Sequence, residues 1–363
     1  KIALQDATHN FVYGADVDIY DTTRPRYKTR LLADGTVDFT DQKQKAFPGA
    51  DTSLVGVFMQ DNIKFANSAW SLIAGVRFDY YSLAAKDDEL YSDAELDDIT
   101  ESAFSPKLGM IYQVNDNLSW YGQYVRGFKI PPHDQAYQSH GVEPFYQILP
   151  NADLAPESSD SYELGMRFSG NDINVTLSAF YAAYDDFIDV AIAGVEPTFI
   201  PNVNKTFYQY QNISETQISG VEASLLMHVS DNVLVEANVA YVEGENKETD
   251  EPLTSISPLN GSIQLTTALG DIDWTAAWRF AKSQSDVVRD ASGDKTTQGY
   301  GYGIVDLYAS YEWQTWQLNV GVINLLDKKY VPFELIAGQS QGADFSQYTQ
   351  PGRNFSARVS YQF

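Results

Sequence analysis

Cysteine is absent from all 363 residues, which removes disulfide frameworks and thiolate metal sites from consideration. Long apolar runs are absent as well. A membrane-spanning helix needs roughly 18 to 20 apolar residues in a row. The apolar runs here are short, such as residues 54–59 and 190–192, and the mean hydropathy is −0.31. A bundle of membrane helices is therefore excluded. Positive charge is scarce: 24 Lys and Arg stand against 49 Asp and Glu, for a net charge of −25. Such a chain repels phosphate backbones, so no nucleic acid is expected as a partner. Lys1-Ile2-Ala3-Leu4-Gln5 lacks both an initiating Met and the charged-then-apolar start of a secretory leader. A mature or internal fragment is expected.

What the chain does hold is aromatic side chains, 24 Tyr and 19 Phe against 4 Met, and a period-2 pattern. Ile173, Val175, Leu177, Ala179, Tyr181 and Ala183 alternate with residues that begin Asn174, Thr176, Ser178. Val233, Val235, Ala237, Val239 and Tyr241 repeat the pattern, as do Val305, Leu307, Ala309, Tyr311 and Trp313 opposite Asp306, Ser310 and Glu312. Such strands have one apolar and one wet face, which suits a membrane barrel with aromatic girdles or a soluble sandwich.

Connection length decides between them. Fourteen strands are predicted, near 9–20, 52–66, 68–82, 103–114, 117–129, 159–169, 171–187, 206–229, 231–244, 258–269, 271–284, 298–313, 315–328 and 351–363. The links near Asn67, Asn115-Asp116, Gly170, Ser230, Gly270-Asp271 and Gln314 are short, while the alternate links are long and polar. Strict short/long alternation matches the periplasmic turns and extracellular loops of an outer-membrane barrel. A sandwich has no reason to keep it. Each strand also has the roughly 9 to 11 residues that cross a bilayer at a tilt. The expected fold class is thus all-β, a transmembrane antiparallel β-barrel, with residues 1–363 forming one barrel portion. In the last strand Phe355, Ala357, Val359, Tyr361 and Phe363 alternate with polar residues. This ending resembles the signal read by the outer-membrane insertion machinery, with Tyr361 and Phe363 as its aromatic marks.

Seven segments carry a family resemblance. Tyr13-Gly14-Ala15-Asp16, Gly56-Val57-Phe58-Met59-Gln60-Asp61 and Gly75-Val76-Arg77-Phe78-Asp79 come first. Pro156-Glu157 with Tyr162-Glu163-Leu164-Gly165, then Ile218-Ser219-Gly220-Val221-Glu222, follow. Asn324-Leu325-Leu326-Asp327-Lys328-Lys329-Tyr330 and Pro351-Gly352-Arg353-Asn354-Phe355 close the series. In this order they resemble TonB-dependent outer-membrane receptors. Their chemistry reads as structural: Asn324 and Asp327 are placed to bond nearby backbone, and Gly220 and Gly352 suit close approach or a bulge. The resemblance implies a plugged barrel of about 22 strands, of which about fourteen lie here; an N-terminal plug and the early strands are expected outside this chain. It also implies a TonB–ExbB–ExbD complex as the driving partner, reached through that missing part, and contact with outer-membrane lipid and lipopolysaccharide.

The loop over residues 128–157 resembles the stretch of haem and haemoglobin receptors between an "FRAP" and an "NPNL" motif. Phe128-Lys129-Ile130-Pro131 stands for the first and Pro150-Asn151-Ala152-Asp153-Leu154 for the second, both diverged. The motif residues carried over are Phe128, Pro131, Asn151 and Leu154. Two of the four His, His133 and His140, lie between them. Ferric haem takes imidazole or tyrosinate as an axial ligand, and aromatic rings cover the porphyrin face. His140, His133, Tyr137 and Tyr146 are accordingly the expected haem contacts, with His140 as the iron ligand; two solvated loop histidines are the plainer alternative. His9 and His228 fall at strand ends and are read as structural. Two further aromatic groups, Phe207 with Tyr208 and Tyr210, and Phe333 with Phe345 and Tyr348, are read as ligand contacts or girdle, the Tyr208 group as girdle. Haem is expected as cargo, free or from a haem protein, with no resident cofactor. A ferric siderophore, cobalamin or carbohydrate cargo, or a plug-less passive pore, stands as the alternative. The acidic pairs Asp87-Asp88, Asp97-Asp98 and Asp185-Asp186 bring no nucleophile beside a base, so an enzyme is not expected.

Overall fold

The computed structural model describes residues 2–44, 47–87, 98–201, 203–253, 256–289, 294–339 and 341–362. Phe363, Asp88 and Asp97 lie outside these. In chain order the strands are β1 (Ile2–Gln5), β2 (His9–Thr22), β3 (Arg26–Leu31), β4 (Val37–Gln44), β5 (Ala50–Lys64), β6 (Trp70–Ala85), β7 (Ile99–Gln113) and β8 (Leu118–Lys129). After helix α1 (His133–Tyr137) come β9 (His140–Val142), β10 (Tyr146–Leu149), β11 (Glu157–Ser169), β12 (Ile173–Pro197), β13 (Asn204–Ser230), β14 (Val233–Asn246) and β15 (Glu251–Pro252). The last five are β16 (Asn260–Leu269), β17 (Ile272–Ala281), β18 (Tyr302–Trp313), β19 (Trp316–Ile323) and β20 (Asn354–Tyr361).

Fourteen long strands, β2, β5–β8, β11–β14 and β16–β20, form an antiparallel wall in which each pairs with the next. All fourteen expected strands are therefore present. The wall begins at β1, which pairs with β2. Among the described residues no register joins β20 to β1. Local turn chemistry sets the short links. Asn67, Gly270 and Gln314 take left-handed backbone at φ 53°, 66° and 53°, and the Asn115 side chain accepts from the Asn117 and Leu118 amides. All of these turns fall at one end of the wall, and every long loop falls at the other.

The two faces are inverted relative to a water-soluble protein. Val57, Phe104, Leu108, Leu164, Leu265, Trp278 and Val320 point outward and are largely exposed. Leaving such side chains in water costs about 1.5 to 3 kcal/mol each, a sum that only a lipid surround removes. The inward face is polar and internally bonded. Glu163 accepts from Tyr121 Oη and Gln123 Nε2, both at 2.6 Å. Gln264 Nε2 donates to Glu236 at 2.8 Å.

The family-like motifs converge on the same inner face. Arg77 donates to the buried Asp79 through Nε (2.9 and 2.8 Å) and to Asp16 through Nη1 (2.8 Å). Its guanidinium lies over Gly56, where a Cβ would collide. Three motifs on β2, β5 and β6 thus form one ion-paired knot. At the chain's other end Asn324 is buried. Its amide donates to Asp306 (2.8 Å), its Nδ2 to the Lys328 and Pro351 carbonyls (2.8 and 3.2 Å), and its Oδ1 accepts from the Lys328 amide. Asp327 accepts from the Arg353 amide at 2.7 Å, and a Cβ on Gly352 would stand 2.5 Å from that same carboxylate. At Gly220 a Cβ would stand 2.7 Å from both the Phe180 ring and the Tyr241 carbonyl oxygen. These glycines are there for close approach, as expected.

Three differences from the sequence expectation matter. The strand expected to end at 187 continues to Pro197, passing through Asp186 at φ 56° and a bulge between Ile192 and Gly194. Acidic residues and a glycine imitate a loop there, while the partner strand keeps pairing. The strand expected over 315–328 stops at Ile323, because Asn324 and Asp327 both take left-handed backbone. The long loops also carry structure of their own: the hairpin β3–β4 and the assembly α1, β9 and β10.

Candidate functional site

Strands β12 and β13 are 25 and 27 residues long. At about 3.3 Å per residue each runs roughly 80 Å or more, while about 9 to 11 residues cross a bilayer. Their upper halves stand clear of the membrane band. The loop over residues 130–156 folds onto that projection. Pro131 and Pro132 end β8, since proline cannot continue the ladder, and Pro132 precedes α1. The chain then lays β10 parallel to β13, with Tyr146 opposite Thr206 and Ile148 opposite Tyr208. β9 pairs antiparallel to β10, with His140 opposite Ile148 and Val142 opposite Tyr146. The result is a four-stranded blade in the order β9-β10-β13-β12.

Directly paired residues share a face of a sheet. One face of the blade therefore carries His140, Val142, Tyr146, Ile148, Tyr208, Tyr210, Val190 and Ile192. The other carries Gln147, Lys205, Gln209 and Gln211, with Lys205 bonded to Glu143 and to Gln147. On the apolar face the rings of His140 and Tyr146 lie 6.0 Å apart, and those of Tyr146 and Tyr208 6.4 Å apart. Tyr208 is thus part of the blade, well above the membrane, and not girdle. Val142, Val190 and Ile192 are open to solvent at 47%, 43% and 46%.

The lower end of the same face is sealed. Ile188 and Tyr210 pack into a cluster with Tyr137, Leu154, Ala136, Phe47, Tyr81, Leu83 and Ile99. This cap closes the upper ends of β6, β7 and β12. Tyr137 is fully buried in it, so its ring is packing and is not presented to solvent. His133 is edge-on to Phe47 at 4.7 Å and to Tyr137 at 5.7 Å. Its Nε2 is buried without a hydrogen-bond partner. Burial pushes its pKa below the ordinary 6.5, against the opposing pull of the Pro48 backbone and Asp134.

The two loop motifs act as fasteners. Phe128 pairs with Ser158, and Pro131 is buried. The Asn151 amide donates to the Ala136 carbonyl (2.7 Å), and its Nδ2 donates to the Tyr210 carbonyl (2.8 Å). Leu154 is 2% exposed, in the cap. Asn212 on β13 brackets Ala155, bonding both its amide and its carbonyl at 2.9 Å. Glu157, also buried, accepts from Lys129 Nζ (2.7 Å) and from the Ile188 amide (3.1 Å). The sequence grouped His140 with Tyr146, whose rings the fold sets 6.0 Å apart, but assigned Tyr208 to the girdle and did not join the apolar residues of β12 to them. The alternation of Val190 and Ile192 with Asp189 and Ala191 was the available signal.

His9 Nδ1 meets Asp61 Oδ2 at 2.6 Å, and His228 lies near the end of β13. Phe333, Phe345 and Tyr348 build a second small core with Val287 and Ile336 beneath the last loop. Among the described residues no group of three or more His, Cys, Asp or Glu is arranged to hold a metal ion.

Comparison with known proteins agrees with this architecture. The model of the "TonB dependent receptor-like, beta-barrel" family matches residues 2–325. The hemoglobin-haptoglobin utilization protein B of Neisseria meningitidis serogroup C is 25% identical over 352 residues, covering 82% of this chain and 42% of that protein. The hemin receptor of Yersinia pestis is 25% identical over 366 residues, covering 92% and 48%. The ferric enterobactin receptor of Pseudomonas aeruginosa is 24% identical over 339 residues, covering 85% and 42%. The chain thus spans about half the length of the curated relatives it matches. Among solved structures, the copper transporter OprC superposes with a TM-score of 0.77 at 20% identity, covering 99% of this chain and 55% of that one. These structures share the fold.

Proposed function

Since the chain belongs to the TonB-dependent receptor-like β-barrel family and is therefore an outer-membrane barrel, we propose that the protein carrying it imports haem, free or drawn from a haem protein. The TonB–ExbB–ExbD complex would drive this. The carrying observation is His140, an imidazole on the open aromatic face of the blade, beside Tyr146, whose ring in turn neighbours Tyr208. A porphyrin laid on that face would bury its rings against tyrosine and aliphatic side chains, while the imidazole reaches the iron. No bond of the cargo needs to be made or broken. Capture rests on burial and ligation, and release needs only a pull on whatever fills the barrel.

The test is haemin titration of the intact protein, followed through its Soret band, with His140→Ala beside the wild type. Losing one axial ligand is expected to weaken binding by roughly tenfold or more, about 1.4 kcal/mol. Unchanged affinity removes His140 from the site. The likeness to a ferric enterobactin receptor keeps a ferric siderophore as the second reading. Growth of a deletion strain on haemin or on siderophore iron separates the two.

A further inference from the structure

We propose that the lipid-facing wall of β6, β7, β8 and β11 holds one phospholipid acyl chain, from the inner leaflet, in a preformed groove. This proposal is independent of the haem reading. Register builds the groove row by row. Nearest the periplasmic turns, Trp70, Tyr112 and Trp120 stand side by side, the first two rings 4.5 Å apart. In the next row Met110, Gly122 and Leu164 are paired. Gly122 has no side chain, so the row has a gap between two long ones. Above it Tyr124 and Tyr162 close the far end, their rings 5.2 Å apart. The depression measures about 480 Å³.

Three observations fix the occupant. The groove continues the outward apolar band, which already faces lipid. Its walls offer hydrocarbon and ring faces, with no ionised side chain among the lining residues. Its aromatic entrance lies beside the periplasmic turns 65–69 and 114–117, the level at which Trp and Tyr sit among headgroups. At the other end Arg126 is already engaged by Asp160, which weakens its hold on the phosphates of an outer-leaflet lipid.

The experiment is to extract the intact protein from outer membranes in mild detergent and to identify bound lipid by native mass spectrometry. Wild type is expected to retain one phospholipid. Gly122→Leu fills the gap and displaces about two methylenes of the chain, so retention should fall roughly tenfold. If that variant does not reach its heat-resistant folded form, Leu164→Trp closes the same gap from β11. Equal retention in wild type and a folded variant, no retained lipid in wild type, or retained lipopolysaccharide instead of phospholipid would each overturn the proposal.

Discussion

Among the described residues two apolar faces are left uncovered by protein, and they differ in what else they carry. The outward wall of the barrel is aliphatic and aromatic over its whole height, as at Leu108, Leu164, Leu265 and Trp278. The open face of the blade is equally apolar at Val142, Val190 and Ile192, but it holds an imidazole beside a tyrosine ring and stands above the bilayer. A surface that meets only hydrocarbon gains nothing from a ligating nitrogen. One that meets a metal-bearing cargo in water needs both the apolar area and the nitrogen. The comparison separates lipid-facing hydrophobicity from hydrophobicity open to water within one chain.

The largest effect is expected where the blade is fastened to the barrel. Tyr137→Ala removes a fully buried ring from the cap and should cost about 3 to 5 kcal/mol of local stability. Limited proteolysis should then cut within residues 130–156, and haemin binding should fall with it although Tyr137 touches no cargo. An uncut loop would mean that the blade holds its place without the cap. Next comes the direct contrast of faces. Leu265→Arg on the wall should cost about 2 to 4 kcal/mol near the bilayer middle. Ile192→Arg on the blade should stay within about 0.5 kcal/mol while weakening haemin capture. Refolding into lipid vesicles across a urea series reads both. If the two substitutions cost the same, the blade face is not in water.

Smaller still is the effect at the other loop anchor. Asn324→Ala leaves the groups it bonded without partners and should cost about 1 to 3 kcal/mol. It should loosen residues 324–353 in hydrogen exchange without changing haemin affinity. A matching loss of affinity would bring the last loop into the cargo site.

Much of this was legible in the sequence, for a physical reason. A wall with lipid on one side and water on the other imposes period 2 on every strand, and topology imposes the short/long rhythm of links. Hence all fourteen strands were readable, as was the bonding of Asn324 and Asp327 to nearby backbone. The blade was only half legible. His140 and Tyr146 stood out as rare residue types in one loop. Tyr208 did not, because its role depends on β10 joining β13 in parallel, a contact between residues about sixty apart with no local mark. Tyr137 and His133 misled for the converse reason: types that suit a ligand site are equally suited to an aromatic core, and only the fold shows which rings Phe47 covers.

His133 supplies the last break point, through pH. Burial holds its pKa below 6.5 in the closed cap, while an opened loop would restore the ordinary value. The open form therefore binds the extra proton, and stability of the cap rises with pH between the two values. The contribution is fully present above 6.5. It is lost as pH falls toward the closed-state value, by about 1.4 kcal/mol per pH unit. Against that burial, the Pro48 backbone and the neighbouring Asp134 favour the proton. Acidification from neutral should thus raise exchange rates of the amides in residues 130–156 and leave those of the barrel strands unchanged. His133→Phe keeps a ring against Phe47 and removes the titration, so its exchange should be flat over the same range. A loop that still loosens in acid in that variant would move the switch to another group and leave His133 as packing alone.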